Sequence, residues 1–447
     1  MFLIGEKITA TACLQMHTDT VKKLWSGFCF GTSELHLLPG EDFAFSVGQA
    51  SRPVLPAGKD YALRVTDSGI CIAGKDFGGL MRGFAVLLMK LQADAEGDGL
   101  FVPSCDETSA YRIGTRMLHL CVFPENTLYD IKKYIRLAGL CQYTHVILEF
   151  WGMLQFDCLP ELSWPQAFTK AEVAELVQEC REFGMEPVPM MNHLGHASGS
   201  RSMGGKHVVL DQNPGLYHLF TPDGWAWNIA KEEPKQLLRE IRQELYDLFG
   251  SGEYMHLGLD EAFYIVKHPK YSALFPGYLA QLTRQVEQEG RRPMIWADLL
   301  LERDAYPDCY AFGDPAQVEL LRSSTAQSTV LVDWQYRCME APVPTTVALQ
   351  SCGRELMGAA WWKKDNHAAH IQTAEALGLP GVMLTTWHQL KKRLPSILQF
   401  AQACGAKSFS WSEYTDQYEE SSSIIRRIRF EGGGYETCGW NREQLEV

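Results

Sequence analysis

Between residues 112 and 388 the chain alternates eight short apolar runs with longer amphipathic ones, and this alternation constrains the fold more than any single motif does. The runs are RIGTRMLHLC (112–121), THVILEF (144–150), EPVPMMNH (186–193), YMHLGLDE (254–261), RPMIWADLL (292–300), TVLVDWQY (329–336), LMGAAWW (356–362) and GVMLTTWH (381–388). Most are apolar on both faces, the pattern of a parallel strand covered on two sides. Between them, stretches such as TLYDIKKYIRLAGL, KAEVAELVQECREFG and PKQLLREIRQELYDLFG place apolar residues three and four apart, with glycine near several C-terminal ends. Eight such units predict an α/β chain built on a (β/α)8 TIM barrel. The helical signal between the fifth and sixth runs, over 314–322, is the weakest.

Ahead of the barrel, YALRVT and GICIAG read as a hairpin turning at Asp67 and Ser68, and DFGGLMRGFAVLLMKLQ as an amphipathic helix. The expected organisation is therefore a small α+β domain over 1–108, the barrel over 109–405 and a charge-rich C-terminal extension over 406–447. A net charge of -13, with 41 Lys plus Arg against 54 Asp plus Glu, argues against nucleic-acid and anionic-membrane partners, which require a basic footprint. No run reaches the roughly 18 apolar residues of a membrane span. MFLIGEKITATACLQ lacks the apolar core of a secretory leader. The cysteines, thirteen in number, include no CxxC pair, which predicts reduced, mostly buried thiols and a cytoplasmic protein; a homodimer is an admissible assembly.

In a barrel of this kind the chemistry gathers at the C-terminal ends of the strands. Those ends carry Glu149 and Trp151, then Asn192, His193 and His196, then Asp260 and Glu261, then Trp296 and Asp298, Trp334 and Tyr336, Trp361 and Trp362, and Trp387 and His388. Five tryptophans at four consecutive strand ends, where branched aliphatics are the usual filling, suit the apolar face of a pyranose, while acids and amides take its hydroxyls. Each tryptophan alone could equally cap the barrel core.

Asp260 and Glu261 pose a geometric problem, because neighbours on a regular strand point to opposite faces. Both reach one site only where the strand ends and the backbone turns; otherwise Glu261 is a helix cap or a solvated loop acid. The other constellations are weaker. His193 with His196, and His367 with His370, have helical spacing but no HExxH context, so no metal site is expected. GHASGSRSMGG lacks the order of a phosphate-binding loop, and the segment 197–234 reads either as a loop over the mouth whose Trp225 and Trp227 reach an outer sugar or as a packed Ω-loop.

The run His256, Leu257, Gly258, Leu259, Asp260, Glu261 resembles the H-x-G-G-D-E signature of family 20 glycoside hydrolases, the β-N-acetylhexosaminidases, with Leu259 in place of the second glycine. MNHLGHASG, MIWADLL and GVMLTTWHQL fall in the family's order, and the leading α+β unit resembles its companion domain, so the likeness spans roughly 60–405. VILEFWGMLQF and LTTWHQLKKRLPSIL look closest to the intracellular hexosaminidase D branch.

The resemblance implies a retaining, cofactor-free exo-glycosidase in which the substrate's 2-acetamido oxygen attacks the anomeric carbon to form an oxazolinium ion. It makes Glu261 the general acid and base, Asp260 the partner of the acetamide N–H, and Tyr336 the donor to the acetamide carbonyl. Trp296, Trp334 and Trp387 would wall the N-acetyl pocket. His196 would bind a hydroxyl or support the acids, and Glu149 and Asp298 would each take a hydroxyl or serve as barrel ion-pair acids. The family's arginine after the first strand is absent from HLCVFPE, Arg116 lies too early in the strand, and the family's acid after the last tryptophan is missing too, with His388 and Gln389 in its neighbourhood. Two rivals remain at this stage: a non-catalytic amino-sugar-binding barrel, and a two-carboxylate glycosidase using Glu149 with Glu261.

Overall fold

The computed structural model describes residues 43–90, 100–150, 152–197, 213–387, 390 and 394–407, with short strands at Phe2–Leu3, Ile8–Ala10, Leu35–Leu37 and Gln92–Ala93. Trp151, His388, Gln389, most of the glycine-rich loop after the third strand and the C-terminal extension from 408 onward lie outside the described residues.

All eight predicted runs form strands, and they close into one parallel barrel. In chain order these are β1 (Thr115–Cys121), β2 (His145–Glu149), β3 (Glu186–Met190), β4 (Tyr254–His256), β5 (Arg292–Trp296), β6 (Val330–Trp334), β7 (Glu355–Ala360) and β8 (Gly381–Thr386). Closure is made by β8 against β1, in register from Thr115 opposite Gly381 to Leu120 opposite Thr386. Met117, Ile147, Val188, Met190, Met294, Val330, Val332, Met357 and Met383 fill the lumen, so the barrel is packed below its mouth. The outward face packs on helices whose first turns are locally specified: Thr127 with Asp130 and Thr169 with Glu172 each form a reciprocal capping box.

Seven of the eight strands end earlier than their apolar runs. β4 stops at His256 although the run continues to 261, and β5 stops at Trp296 before a 3-10 turn at Asp298–Leu300. Apolar composition continues past the ladder because these loop residues are themselves buried. After β5 the helix is Val318–Ser324, later than the expected 314–322, because the Asp314 carboxylate first accepts the Ala316 N–H in a turn.

The expected hairpin is present as Tyr61–Thr66 paired antiparallel with Gly69–Gly74, inside a mixed six-stranded sheet against the helix Phe77–Met89. Arg116 is fully buried at the opposite end of the barrel from the acids. It donates to the carbonyls of Ile113, Gly114 and Gln142 and lies 3.7 Å from the Tyr111 ring centre, which is a structural role. The ten described cysteines are free thiols, but only half are buried, fewer than expected. No described helix is long and apolar enough to cross a membrane.

Candidate active site

The loop leaving β4 resolves the problem of the adjacent acids. Gly258, Leu259 and Glu261 take φ values of 68°, 81° and 48°, so three of four consecutive residues are left-handed and the backbone coils instead of extending. Both carboxylates consequently turn to one imidazole: His196 Nε2 lies 3.3 Å from Asp260 Oδ2 and 3.1 Å from Glu261 Oε2. Two acceptors on one ring nitrogen place a proton there.

Two glycines permit this approach. A Cβ on Gly258 would stand 1.8 Å from Asn192 Oδ1, and one on Gly195 would stand 2.0 Å from the Asp260 carbonyl oxygen. Leu259 has no such freedom, and its left-handed conformation stores strain of about 1–2 kcal/mol. Its side chain is buried in the main core, and that burial offsets the strain.

Asp298 ties the acids to the aromatic wall. Its Oδ2 accepts the Glu261 backbone N–H at 2.9 Å and its Oδ1 accepts Trp334 Nε1–H at 3.2 Å. Burial, with the nearby Asp260 charge, pushes the Asp298 carboxyl well above the usual carboxylate range. Asp260 is also buried, and its Oδ1 makes no hydrogen bond to the protein, which leaves a buried acceptor without a protein donor.

The wall is continuous. Tyr310 stacks on Trp334 with ring centres 4.5 Å apart, Trp334 meets Tyr336 at 5.3 Å, and Tyr336 meets Trp361 at 5.3 Å. Tyr336 Oη accepts Trp387 Nε1–H at 2.8 Å and is also hydrogen-bonded to the Thr385 side chain; burial raises its pKa strongly. Trp387 in turn packs on Trp296 at 5.8 Å and on His119 at 4.7 Å.

The sequence-named residues therefore divide. Asp260, Glu261, His196 and Asp298 form one connected group, which meets the aromatic wall at Trp334; Tyr336 and Trp387 complete that wall. Trp296 is fully buried behind Trp387, where it also packs on His256, so it supports the wall from beneath. Glu149 is buried with Oε2 2.9 Å from His119 Nε2 and Oε1 accepting from Asn192 Nδ2 at 2.7 Å, so both of its oxygens have protein partners. Trp225 and Trp227 do not reach outward. Trp225 packs on His196 at 4.3 Å and donates to the Glu261 carbonyl at 2.8 Å, while Trp227 is fully buried and donates to the Asn192 carbonyl at 2.9 Å.

His119 and Tyr310 escaped the reading of strand ends. His119 lies mid-strand, two residues after the lumen residue Met117 and so on the same face of β1, which was a usable signal. Tyr310 comes from a loop without periodicity. His193 turns away, with Nδ1 on the Met191 carbonyl at 2.6 Å, so it shares no site with His196. Among the described residues no cluster of three or more His, Cys, Asp or Glu could hold a metal.

This barrel with its leading sheet places the chain among architectures already solved. No protein-family model matches the sequence, and no curated protein matches it. Among solved structures, the chain is similar to a family 20 exo-β-N-acetylglucosaminidase from Vibrio harveyi in complex with N-acetylglucosamine. The TM-score is 0.68 at 13% identity, covering 94% of this chain and 74% of that one. A β-N-acetylhexosaminidase from Bacteroides fragilis gives 0.66 at 17%, over 94% and 91% of the two chains. A family 20 β-N-acetylhexosaminidase from Streptomyces coelicolor gives 0.62 at 16%, over 98% and 94%. At these identities the likeness is one of fold.

Proposed function

We propose that this chain is a retaining exo-β-N-acetylhexosaminidase of glycoside hydrolase family 20, releasing terminal GlcNAc or GalNAc by substrate-assisted catalysis. The observation that carries the reading is the convergence of Asp260 and Glu261 on His196 beside an aromatic wall. A bound 2-acetamido sugar forms its own oxazolinium ring, and the chain supplies only orientation, protons and charge. Glu261, the more exposed acid, protonates the leaving oxygen and then activates water. Asp260 offers its uncommitted Oδ1 to the acetamide N–H and balances the cation. Tyr336 donates to the acetamide carbonyl and aims it at the anomeric carbon.

His196 holds the two acids in register, and Asp298 holds the Glu261 backbone. Trp334 and Trp387 flank the acetamide, with Trp296 behind them. The two-carboxylate rival loses support because both Glu149 oxygens are occupied by His119 and Asn192. The reading extends to a cytoplasmic, cofactor-free enzyme akin to the hexosaminidase D branch, with a companion domain over 1–108 and the barrel over 109–405.

The test is a panel of aryl β-glycosides differing only at C2 and C4. Turnover of the GlcNAc and GalNAc glycosides but not of plain glucosides, inhibition by a thiazoline mimic of the oxazolinium, and a fall of about 10²–10⁴ in kcat for Glu261→Gln are expected. Sugar binding without turnover overturns it in favour of the binding barrel, and turnover of glucosides favours the two-carboxylate route.

A further inference from the structure

Two thiols meet at the rim of this site without any part in the chemistry above. Cys309 Sγ and Cys338 Sγ lie 3.3 Å apart, although 29 residues separate them in the chain. Cys309 immediately precedes Tyr310 in the segment between β5 and β6, and Cys338 follows Tyr336 by two residues in the segment after β6. Each sulfur therefore belongs to a segment that contributes a ring to the wall.

The backbone around the pair is already cross-tied. The Gln335 side chain accepts the Tyr310 N–H at 2.7 Å and donates to the Tyr310 carbonyl at 2.9 Å. Asn366 Nδ2 donates to the carbonyls of Gln335 and Cys338, both at 2.7 Å. The Arg337 guanidinium lies 5.0 Å from the Tyr310 ring centre. Held in this way, the sulfurs need only side-chain rotation to reach the roughly 2.05 Å of a disulfide. Both residues are part-exposed, so a small oxidant has access.

We propose that Cys309 and Cys338 are a peroxide-oxidisable thiol pair whose reversible disulfide fastens together the two rim segments that carry Tyr310 and Tyr336. The Cys309 thiolate attacks one oxygen of hydrogen peroxide, the O–O bond breaks, hydroxide leaves and is protonated to water, and Cys309 becomes a sulfenic acid. The Cys338 sulfur then attacks the Cys309 sulfur; the S–S bond forms, the S–O bond breaks, and the departing hydroxide takes the Cys338 proton as a second water. Two thiols are oxidised and one peroxide is reduced.

The contact is one shared hydrogen bond in which either sulfur can donate. With Cys338 as its donor, that bond holds the Cys309 thiol below its ordinary range, against burial and the charges of Asp333 and Asp308 and with a contribution from Thr345. Donating that bond leaves the Cys338 thiol above its ordinary range. Low-pKa, accessible thiols beside a second cysteine are the ones that peroxide selects.

The test treats the full chain with graded hydrogen peroxide, alkylates the remaining thiols and maps the peptides, then measures backbone hydrogen exchange in both redox states. A 309–338 cross-link is expected at peroxide levels that leave the other thiols alkylatable, with reversal by dithiothreitol. Cys338→Ser should instead leave a dimedone-trappable sulfenic acid on Cys309. Exchange across residues 305–312 and 336–342 should slow about tenfold in the oxidised wild type and be unchanged by peroxide in Cys338→Ser. Cys309 and Cys338 still alkylatable when other thiols have oxidised, or a cross-link that leaves exchange unchanged, overturns the proposal. Neither readout depends on glycoside turnover, so failure of the enzyme reading is distinguishable from failure here.

Discussion

Replacing Gly258 with alanine should damage the protein in two separable ways. The backbone there has φ of 68°, so any L side chain incurs about 1–2 kcal/mol of left-handed strain. The new Cβ would also sit 1.8 Å from Asn192 Oδ1 and 2.9 Å from Asn192 Cγ, well inside contact distance. Asn192 must swing away, which breaks its 2.7 Å bond to the buried Glu149 carboxylate. Losing a hydrogen bond to a charged group costs about 1.5–3 kcal/mol.

The expected loss is thus about 2.5–5 kcal/mol, read as a shift in the urea unfolding midpoint. Gly353→Ala is the control, because Gly353 has a similar φ of 60° but nothing within 4 Å of its Cβ position. It should lose only the strain of about 1–2 kcal/mol. Combining Gly258→Ala with Asn192→Ala removes the clash, so the pair should be less destabilised than the sum of the singles by about 1–3 kcal/mol. Asp260 and Glu261 follow by two and three residues, and a displacement on the order of 1 Å there should lower kcat about 10²-fold. Equal losses for Gly258→Ala and Gly353→Ala, or strict additivity in the cycle, would refute the reasoning.

Three other outcomes are expected. Asp298→Asn keeps the shape but turns one acceptor into a donor facing an N–H, so kcat should fall by about 10²-fold as the Glu261 backbone loses its anchor. Because the folded Asp298 pKa is raised, its stabilising contribution belongs to the acid side and is lost as pH rises through the folded pKa; urea midpoints should show the wild-type advantage over Asp298→Asn shrinking with increasing pH. Tyr336→Phe should lower kcat on aryl N-acetylglucosaminides by about 10²-fold, and should cost about 1–3 kcal/mol in urea unfolding because Trp387 Nε1 loses its acceptor; an unchanged kcat removes Tyr336 from the mechanism. Burial holds His367 down to about 4, so its contribution is complete above about 6.5 and is lost as pH falls towards 4. His367→Gln, which can still donate to the Trp361 carbonyl, should flatten that acid limb by about 1 kcal/mol per pH unit, and identical pH profiles for the two proteins would contradict this.

Strand number and order were legible because two-sided burial demands continuous apolar runs, and RIGTRMLHLC or GVMLTTWH can satisfy that demand in few other ways. Strand ends were not, since LGLDE is as apolar as the strand it follows and only backbone dihedrals separate the two. The aromatic residues at strand ends were visible, but not which of them face the site. Trp296 and Trp387 look alike in sequence, yet one is fully buried behind the other.

Periodicity and composition by themselves determined a β-α barrel with acids and rings at one rim, because burial patterns are local and repeat along the chain. Whether Asp260 and Glu261 meet, whether Glu149 is free or paired, and whether Trp225 faces outward depended on residues far away in sequence: His196, Asn192, His119 and Asp298. Hydrogen bonds and ion pairs act over about 3 Å, so partners brought together only by closure of the barrel leave no imprint on local pattern. The meeting of Cys309 with Cys338 is of the same kind: their 29-residue separation says nothing of proximity, and the folded rim alone puts the two sulfurs in contact.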